Sequence, residues 1–403
     1  MNRDRFCLIP FSTFVYRPDG KTITCSQGKS PIGPDERLEN NSINEVWNSS
    51  FMKDFRLKKI NNEYVENCST CYYDDDHGWE SKRKWYLEKH SPKNLESFIA
   101  EVEENNGEVN TIPWHWEMRL SNTCNAQCVM CGPANSSKIA SELSYNIKNP
   151  LLPVDYKITY EKYIRNQKAH VSNDAFIKSF KDNLEHIRLL ELHGGEPWAD
   201  PNVIKLLNEV SQTPYAKNIK IKTYSNCTLL TKEKIKVLNK FKGGDFHCSI
   251  DAYGKESEYV RYPLTWEDTE RGLNLVLQTL KPEWNIRSIS TTHLFNIWNI
   301  DQLFTVLTKY ERLDIFSAPV SRPRFLITDI LPLDLREEIL NKFEAFKDIK
   351  SMEEIYNAMQ THLRVPQPKN NNYLITQFKK YYHYLDNVRN TNTLEIFPHL
   401  KSL

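Results

Sequence analysis

Residues 124–132 read CNAQCVMCG, and the cysteines at 124, 128 and 131 constrain this chain more than any other feature. The pattern Cys124-x3-Cys128-x2-Cys131 gathers three soft ligands in one loop. Such ligands select zinc, copper(I) or iron–sulfur clusters. A structural zinc site takes four ligands and is closed. No fourth ligand is at hand: the next cysteine is Cys227, and the flanks MRLSNT and GPANSSK contain no histidine. Three thiolates on a four-iron cubane leave one iron without a protein ligand. An open position of that kind marks a reactive site. On the triad alone, an incomplete zinc site or plain buried thiols stay open as alternatives.

The rest of the composition narrows the setting. A chain of 403 residues has room for two or three domains. With 39% apolar and 26% charged residues it is globular in kind. The formal net charge of +1 gives no bias toward nucleic acid or a membrane surface, and neither partner is expected. No stretch reaches the ~18 apolar residues of a membrane helix. The start, MNRDRFCLIPFSTF, lacks the apolar run of a secretory signal, so a soluble, cytoplasmic protein is expected. Nine cysteines, an odd number, argue against a disulfide framework. Seven of them fall in two groups, Cys7/Cys25/Cys68/Cys71 and Cys124/Cys128/Cys131.

Hydrophobic periodicity sets the fold class. Residues 1–72 are rich in turns. TFVY and TITC flank Pro18-Asp19-Gly20 and predict a hairpin. Residues 42–59 predict one helix, with Ser42 as N-cap and Glu45 at the capping-box position. Residues 73–112 are charged and predict a helical bridge. From 113 the pattern alternates. Strand-like runs at 114–121, 187–194, 218–225, 246–252, 286–294 and 312–319 are separated by helical runs such as 201–210, 231–241, 265–280 and 299–310. Strand and helix in turn mean parallel strands with right-handed crossovers. The expected fold is α/β: a partial (β/α)6 TIM-like barrel over 113–320, with a small N-terminal α+β domain and a C-terminal helical region over 321–403. Ligands gather at the C-terminal ends of strands in such folds. The three thiols, GGEP (194–197) and SIDA (249–252) all fall at strand ends. The insertion 132–180 is placed to line or cover a site.

The combination of C-x3-C-x2-C after one strand and GGEP after the next resembles the radical S-adenosylmethionine (SAM) superfamily, over roughly 113–320. The resemblance implies a [4Fe–4S] cluster on Cys124, Cys128 and Cys131, whose open iron chelates SAM. One electron then cleaves SAM to methionine and a 5′-deoxyadenosyl radical, which takes a hydrogen atom from substrate. It further implies that Gly194, Gly195, Glu196 and Pro197 hold the SAM amino group. Ser249 and Arg261 would hold its carboxylate, a role an arginine fork suits. Ser225 and Asn226 fall where the family has Thr-Asn-Gly and are implied SAM contacts, and Asp251 is a candidate polar contact. Met130 stands where the family usually has an aromatic residue packed on adenine. A thioether also packs on a ring, so a modified contact is expected.

By residue type alone, the first cysteine group divides evenly between zinc and iron–sulfur. Its spacing, C-x12-G-x4-C followed by C-x2-C, resembles the twitch domain, the shortened form of the SPASM domain found with radical SAM cores. The resemblance implies a second [4Fe–4S] cluster, fully ligated by Cys7, Cys25, Cys68 and Cys71. A closed cluster binds no substrate, so it would accept an electron. The domain precedes the barrel here, whereas family members usually carry it after.

The expected activity is therefore that of a radical SAM oxidoreductase or maturase. It would oxidise or cross-link a substrate, with a peptide as leading class and a sugar or nucleotide-derived metabolite as the alternative. Its electron donor would be a flavodoxin or ferredoxin. The rival of another class is a non-catalytic zinc scaffold. Cys227 and Cys248 are expected to be buried free thiols, His193 as readily structural as functional, and Asp74-Asp75-Asp76 a solvated loop. Tyr381, Tyr382 and Tyr384 are expected to pack within a helix.

Overall fold

The computed structural model describes residues 4–28, 33–76, 80–167 and 172–403. Eight strands are present among them: β1 (Thr13–Tyr16), β2 (Thr22–Ile23), β3 (His115–Arg119), β4 (Leu189–His193), β5 (Lys220–Ser225), β6 (Gly244–Ser249), β7 (Trp284–Thr292) and β8 (Leu313–Pro319). The last six coincide with the six expected strand runs. Helices Pro201–Val210, Lys232–Leu238, Trp266–Thr279 and Ile300–Leu307 alternate with them. The fold is α/β, of the partial TIM-like barrel kind.

The chain divides into two compact units. The first comprises Met1–Ser121, Ala169–His193 and Leu206–Ile221. Its strands run in the order β2-β1-β3-β4. The Pro18-Asp19-Gly20 turn forms, with Gly20 at φ +75°, and pairs Val15 with Ile23. The hairpin does more than expected: β1 also pairs in parallel with β3, Thr13 opposite His115. All four residues of β1 are buried, because the strand is covered on both faces and no longer forms an edge.

β3 and β4 pair in parallel, His115 opposite Leu189 and Glu117 opposite Glu191. The period-2 alternation sorts their side chains. Trp116 packs on Phe176 and Phe180 of the helix Asp174–Asp182. His115, Glu117, Glu191 and His193 take the opposite face, which therefore carries charge.

The expected helix over 42–59 is two helices, Ile43–Trp47 and Ser50–Ile60. The Ser42/Glu45 capping box forms as read. The break comes at Asn48, whose side chain bonds both backbone groups of Val109, and at Ser49, which caps the second helix through the Met52 amide. Nearby, Arg56 is fully buried. It donates to the carbonyls of Pro10 (2.8 Å), Trp47 (2.8 Å) and Gly107 (3.1 Å). One guanidinium thus closes three chain segments around the core of Phe6, Leu8, Ile9, Phe11, Ile99 and Val102. Asp74 to Asp76 end the helix Ser69–Asp76 and are not a loop. Asp75 instead anchors Arg83 and Lys84.

The second unit comprises Asn122–Lys168, Gly194–Lys205 and Lys222–Leu403. β6, β7 and β8 pair in parallel, Phe246 opposite Ile286 and Ile286 opposite Leu313. Thr231 and Thr265 cap the helices that follow them, each accepting from the third residue on. Gly272 lets the helix Trp266–Thr279 pass close to the chain, since a Cβ there would lie 2.1 Å from the Cys227 carbonyl oxygen. The C-terminal region is helical, and its longest helix, Asn371–Arg389, ends on Asn390 in the left-handed conformation.

Replacing Arg56 by Met keeps the bulk and removes the donors. Buried carbonyls without donors cost about 1–3 kcal/mol each, so Arg56→Met should lower stability by about 3 kcal/mol or more. Chemical denaturation of the two proteins side by side measures this.

Candidate functional site

In the second unit the cysteine loop leaves β3 and is fixed at nearly every residue. The Gln127 amide donates to the Tyr262 carbonyl (2.6 Å) and the Val129 amide to the Val260 carbonyl (2.9 Å). The Val129 carbonyl accepts from the hydroxyls of Tyr156 (2.8 Å) and Tyr381 (2.7 Å). The Ala126 amide points at Cys124 Sγ at 3.4 Å. Burial pushes the thiols up, Cys124 to about 11 and Cys131 to about 12, and the neighbouring thiols add to it. Cys128 is also raised by burial, with the Arg261 guanidinium opposing.

The Gly-Gly-Glu-Pro turn lies against this loop. A Cβ on Gly195 would be 2.5 Å from the Thr123 carbonyl oxygen and 2.6 Å from Cys124 Cβ. Only glycine permits that approach. The Glu196 amide donates to Thr123 O at 2.9 Å. The buried Glu196 carboxylate accepts from the Asn226 amide (2.7 Å), Ser225 Oγ (2.9 Å) and the Trp198 amide (3.3 Å). Burial raises it to about 7 despite these donors. Asn226 reaches across to Asn125 of the cysteine loop (2.8 Å).

Arg261 follows the helix Gly254–Val260 and pairs with Asp251 at 2.6 Å. Its Nη1 lies 3.8 Å from Cys128 Sγ, and its Nε is buried without a partner. Asp251 is fully buried and is also held by the Thr291 amide (2.7 Å).

One cavity of about 300 Å³ is lined by Cys124, Cys128, Met130, Cys131, Gly194, Gly195, Glu196, Ser225, Asn226, Ser249 and Arg261. Every residue of this unit expected from the sequence to touch the cluster or SAM lines it, except Pro197 and Asp251. Pro197 is buried in the turn that follows Glu196. Asp251 is paired with Arg261, which does line it.

In the first unit Cys7, Cys25, Cys68 and Cys71 line a cavity of their own, together with Lys59 and Arg83. Burial pushes Cys25 to about 11, and it raises Cys7 and Cys71 as well. The Gln27 amide points at Cys25 Sγ at 3.4 Å. Four thiols thus share one cavity with two cations, of which Arg83 is also paired with Asp75.

Residues 7–72 match the family model of an iron–sulfur cluster-binding domain, SPASM. Among solved structures the chain is similar to SuiB of Streptococcus suis bound to S-adenosylmethionine, at 15% identity and a TM-score of 0.38, covering 75% of this chain and 60% of that one. It is also similar to native anSMEcpe with bound AdoMet, at 15% identity and a TM-score of 0.38, covering 62% of each chain. A third, anSMEcpe with bound AdoMet and a peptide, has 13% identity and a TM-score of 0.34, covering 60% of this chain and 61% of that one. The chain thus spans a little under two thirds of the length of these three structures. A search of curated proteins finds no match.

Within the same unit as the segment that matches this family model lies a buried ionic network that sequence reasoning missed. Lys82 donates to Ser26 Oγ (2.8 Å) and pairs with Glu117 (3.4 Å), and Ser26 also donates to Glu117 (3.0 Å). His193 Nε2 lies 3.0 Å from Glu191 and 3.6 Å from Glu117, and His115 lies 3.2 Å from Glu191. Burial works to raise Glu117, but Lys82 and then His193 outweigh it and hold it below the usual carboxylate range. Glu117, Glu191 and His193 offer ligand atoms within 4.8 Å of one another. The Lys82 ammonium offsets one of the two carboxylates there, and the two histidines pair with the other. Cys227 and Cys248 are fully buried free thiols.

A thiol held near pKa 11 is a poor nucleophile at neutral pH. In the metal-free protein, iodoacetamide labelling of Cys25 and Cys124 should rise about tenfold per pH unit from pH 7 to 10. Peptide mass spectrometry measures it, and a plateau by pH 9 would contradict the raised values.

Proposed function

We propose that this chain is a radical SAM enzyme with a cluster on Cys124, Cys128 and Cys131 and a second on Cys7, Cys25, Cys68 and Cys71. One observation carries the reading. Three thiols without a fourth ligand share a cavity with a glycine turn, a buried glutamate and an arginine, drawn from well-separated segments of sequence. The fit is chemical. The donor set is soft and leaves one coordination position free. The missing Cβ at Gly195 lets the glycine turn close on the cysteine loop, and the buried Arg261 Nε awaits an acceptor. A bound cluster and SAM together would supply a 5′-deoxyadenosyl radical that takes hydrogen from substrate.

The chain's own residues then have separate tasks. Glu196 accepts the SAM amino group, fixed in place by the Ser225 hydroxyl and the Asn226 amide. Arg261 and Ser249 hold the carboxylate, with Asp251 aiming the guanidinium. Met130 packs on adenine. The four-thiol site offers no free position to a substrate, so its role is to take the second electron. That permits net oxidation or bond formation. A peptide is the leading substrate class, a small metabolite the alternative, and a flavodoxin or ferredoxin the donor of the first electron.

Anaerobic reconstitution with iron and sulfide tests this. About eight irons per chain are expected, falling to about four in the Cys124/Cys128/Cys131→Ala variant. With dithionite, only the wild type should turn SAM into 5′-deoxyadenosine. A colourless protein that holds zinc and leaves SAM intact would make it a scaffold. A second readout isolates Glu196. Below pH 7 part of its carboxyl is protonated, and contact with an ammonium or amine favours the carboxylate. SAM affinity should therefore rise from pH 5.5 to 7. In Glu196→Gln that component should vanish, with affinity down about tenfold.

A further inference from the structure

A second cavity of about 570 Å³ in the same unit shares Met130, Cys131 and Asn135 with the three-thiol cavity. One wall is the helix Val154–Gln167, from which Asp155, Ile158, Thr159 and Lys162 face it at helical spacing. The other wall follows β8, where Arg322 and Arg324 flank Pro323. Lys162, Arg322 and Arg324 form no ion pair and no side-chain hydrogen bond among the described residues. Tyr156 roots the helix on the cysteine loop through the Val129 carbonyl and stacks on Tyr381 at 5.0 Å. The wall that carries Lys162 is therefore tied to the loop that carries the thiols.

The charge here is local. The chain as a whole has a formal net charge of only +1, yet three cations face one carboxylate around this cavity. In the adjoining three-thiol cavity the one lining cation, Arg261, is paired with Asp251. Converging cations repel unless an anion sits between them. Two arginine forks and an ammonium suit a carboxylate or a phosphate. Ile158 and Tyr156 supply apolar wall below the charged rim.

We propose that this cavity is the substrate site and that the substrate presents an anionic group, carboxylate or phosphate, to Lys162, Arg322 and Arg324. The proposal rests on the radical SAM reading of the adjoining cavity. The anion would lie on the rim, and the remainder of the substrate would reach Met130 and Cys131, where the two cavities meet.

The test uses reconstituted full-length protein and three probes: acetyl-tetraglutamate amide, its glutamine counterpart, and ribose 5-phosphate. Calorimetry at about 50 mM salt keeps charge interactions visible. One anionic probe should bind, and the glutamine peptide should bind at least tenfold more weakly. The Arg322→Gln/Arg324→Gln variant should lose at least tenfold in affinity for that probe. Arg324→Glu, which leaves two cations facing two carboxylates, should abolish the preference for the anionic probe over the glutamine peptide. Tetraglutamate binding alone would identify an acidic peptide, and ribose 5-phosphate alone a phosphorylated metabolite. If neither anion binds, or if both bind wild type and variants equally, the proposal is overturned. Formation of 5′-deoxyadenosine by the wild type is read separately. Its absence would sink the radical reading, while the probe titrations still decide whether the rim binds anions.

Discussion

The three-thiol site depends on one missing carbon atom, the Cβ of residue 195. Two backbone carbonyls and a cysteine side chain already occupy the space it would fill. None of these is the free end of a flexible side chain, so a substituent there would separate the turn from the loop. Because the turn fits, the Glu196 amide can donate to Thr123 O, and the Glu196 carboxylate sits where the Ser225 and Asn226 donors converge. Cysteine loop, glycine turn and the end of β5 then behave as one body. The position of the carboxylate relative to the thiols follows from a contact distance, and no long side chain has to be held in place.

The two thiol groups differ in how charge is met. At the four-thiol site Lys59 and Arg83 line the cavity, and Lys82 acts on Cys25 from behind. At the three-thiol site Arg261 is the cation nearest the thiols, and Asp251 partly neutralises it. Burial raises six of the seven thiols. Without metal they hold their protons, which spares the fold a set of buried, mutually repelling thiolates. Any metal bound by these thiols would release protons, so its binding would depend on pH.

Much of this was legible in the sequence, and what was missed has a common cause. β7 shows why the strands could be read. Its burial alternates along Trp284–Thr292, and a period of two is visible to anyone counting residues. The hairpin was legible because Pro-Asp-Gly determines a turn by local sterics. The break at Asn48 was not, because its reason is Val109, 61 positions away. The Lys82–Glu117–Glu191–His193 network was missed for the same reason: each member is ordinary until parallel register puts Glu117 opposite Glu191. Tyr381 was placed correctly as a packing residue of its helix. Its hydroxyl, however, donates to Val129, 252 positions earlier. Local patterns are written in the sequence, whereas long-range polar pairs exist only once the chain has folded.

Those long-range pairs explain what the insertion and the C-terminal helix are for. A loop that must present three thiols to one centre cannot be left to fluctuate. Ordering each backbone residue costs about 1–2 kcal/mol, and a hydrogen bond gives back about 0.5–1.5. The loop between Cys124 and Cys131 needs roughly one external bond per residue, and it has them. Ser136 takes the Ala126 carbonyl, Tyr262 and Glu142 take Gln127, and Val260, Tyr156 and Tyr381 take Val129. Glu142 is itself held by Arg389 and Tyr384. Tyr156 and Glu142 come from the insertion after the cysteines, and Tyr381, Tyr384 and Arg389 from the helix Asn371–Arg389. Neither segment supplies a thiol. Both fix the loop that does, so the cysteine geometry is a property of the whole second unit.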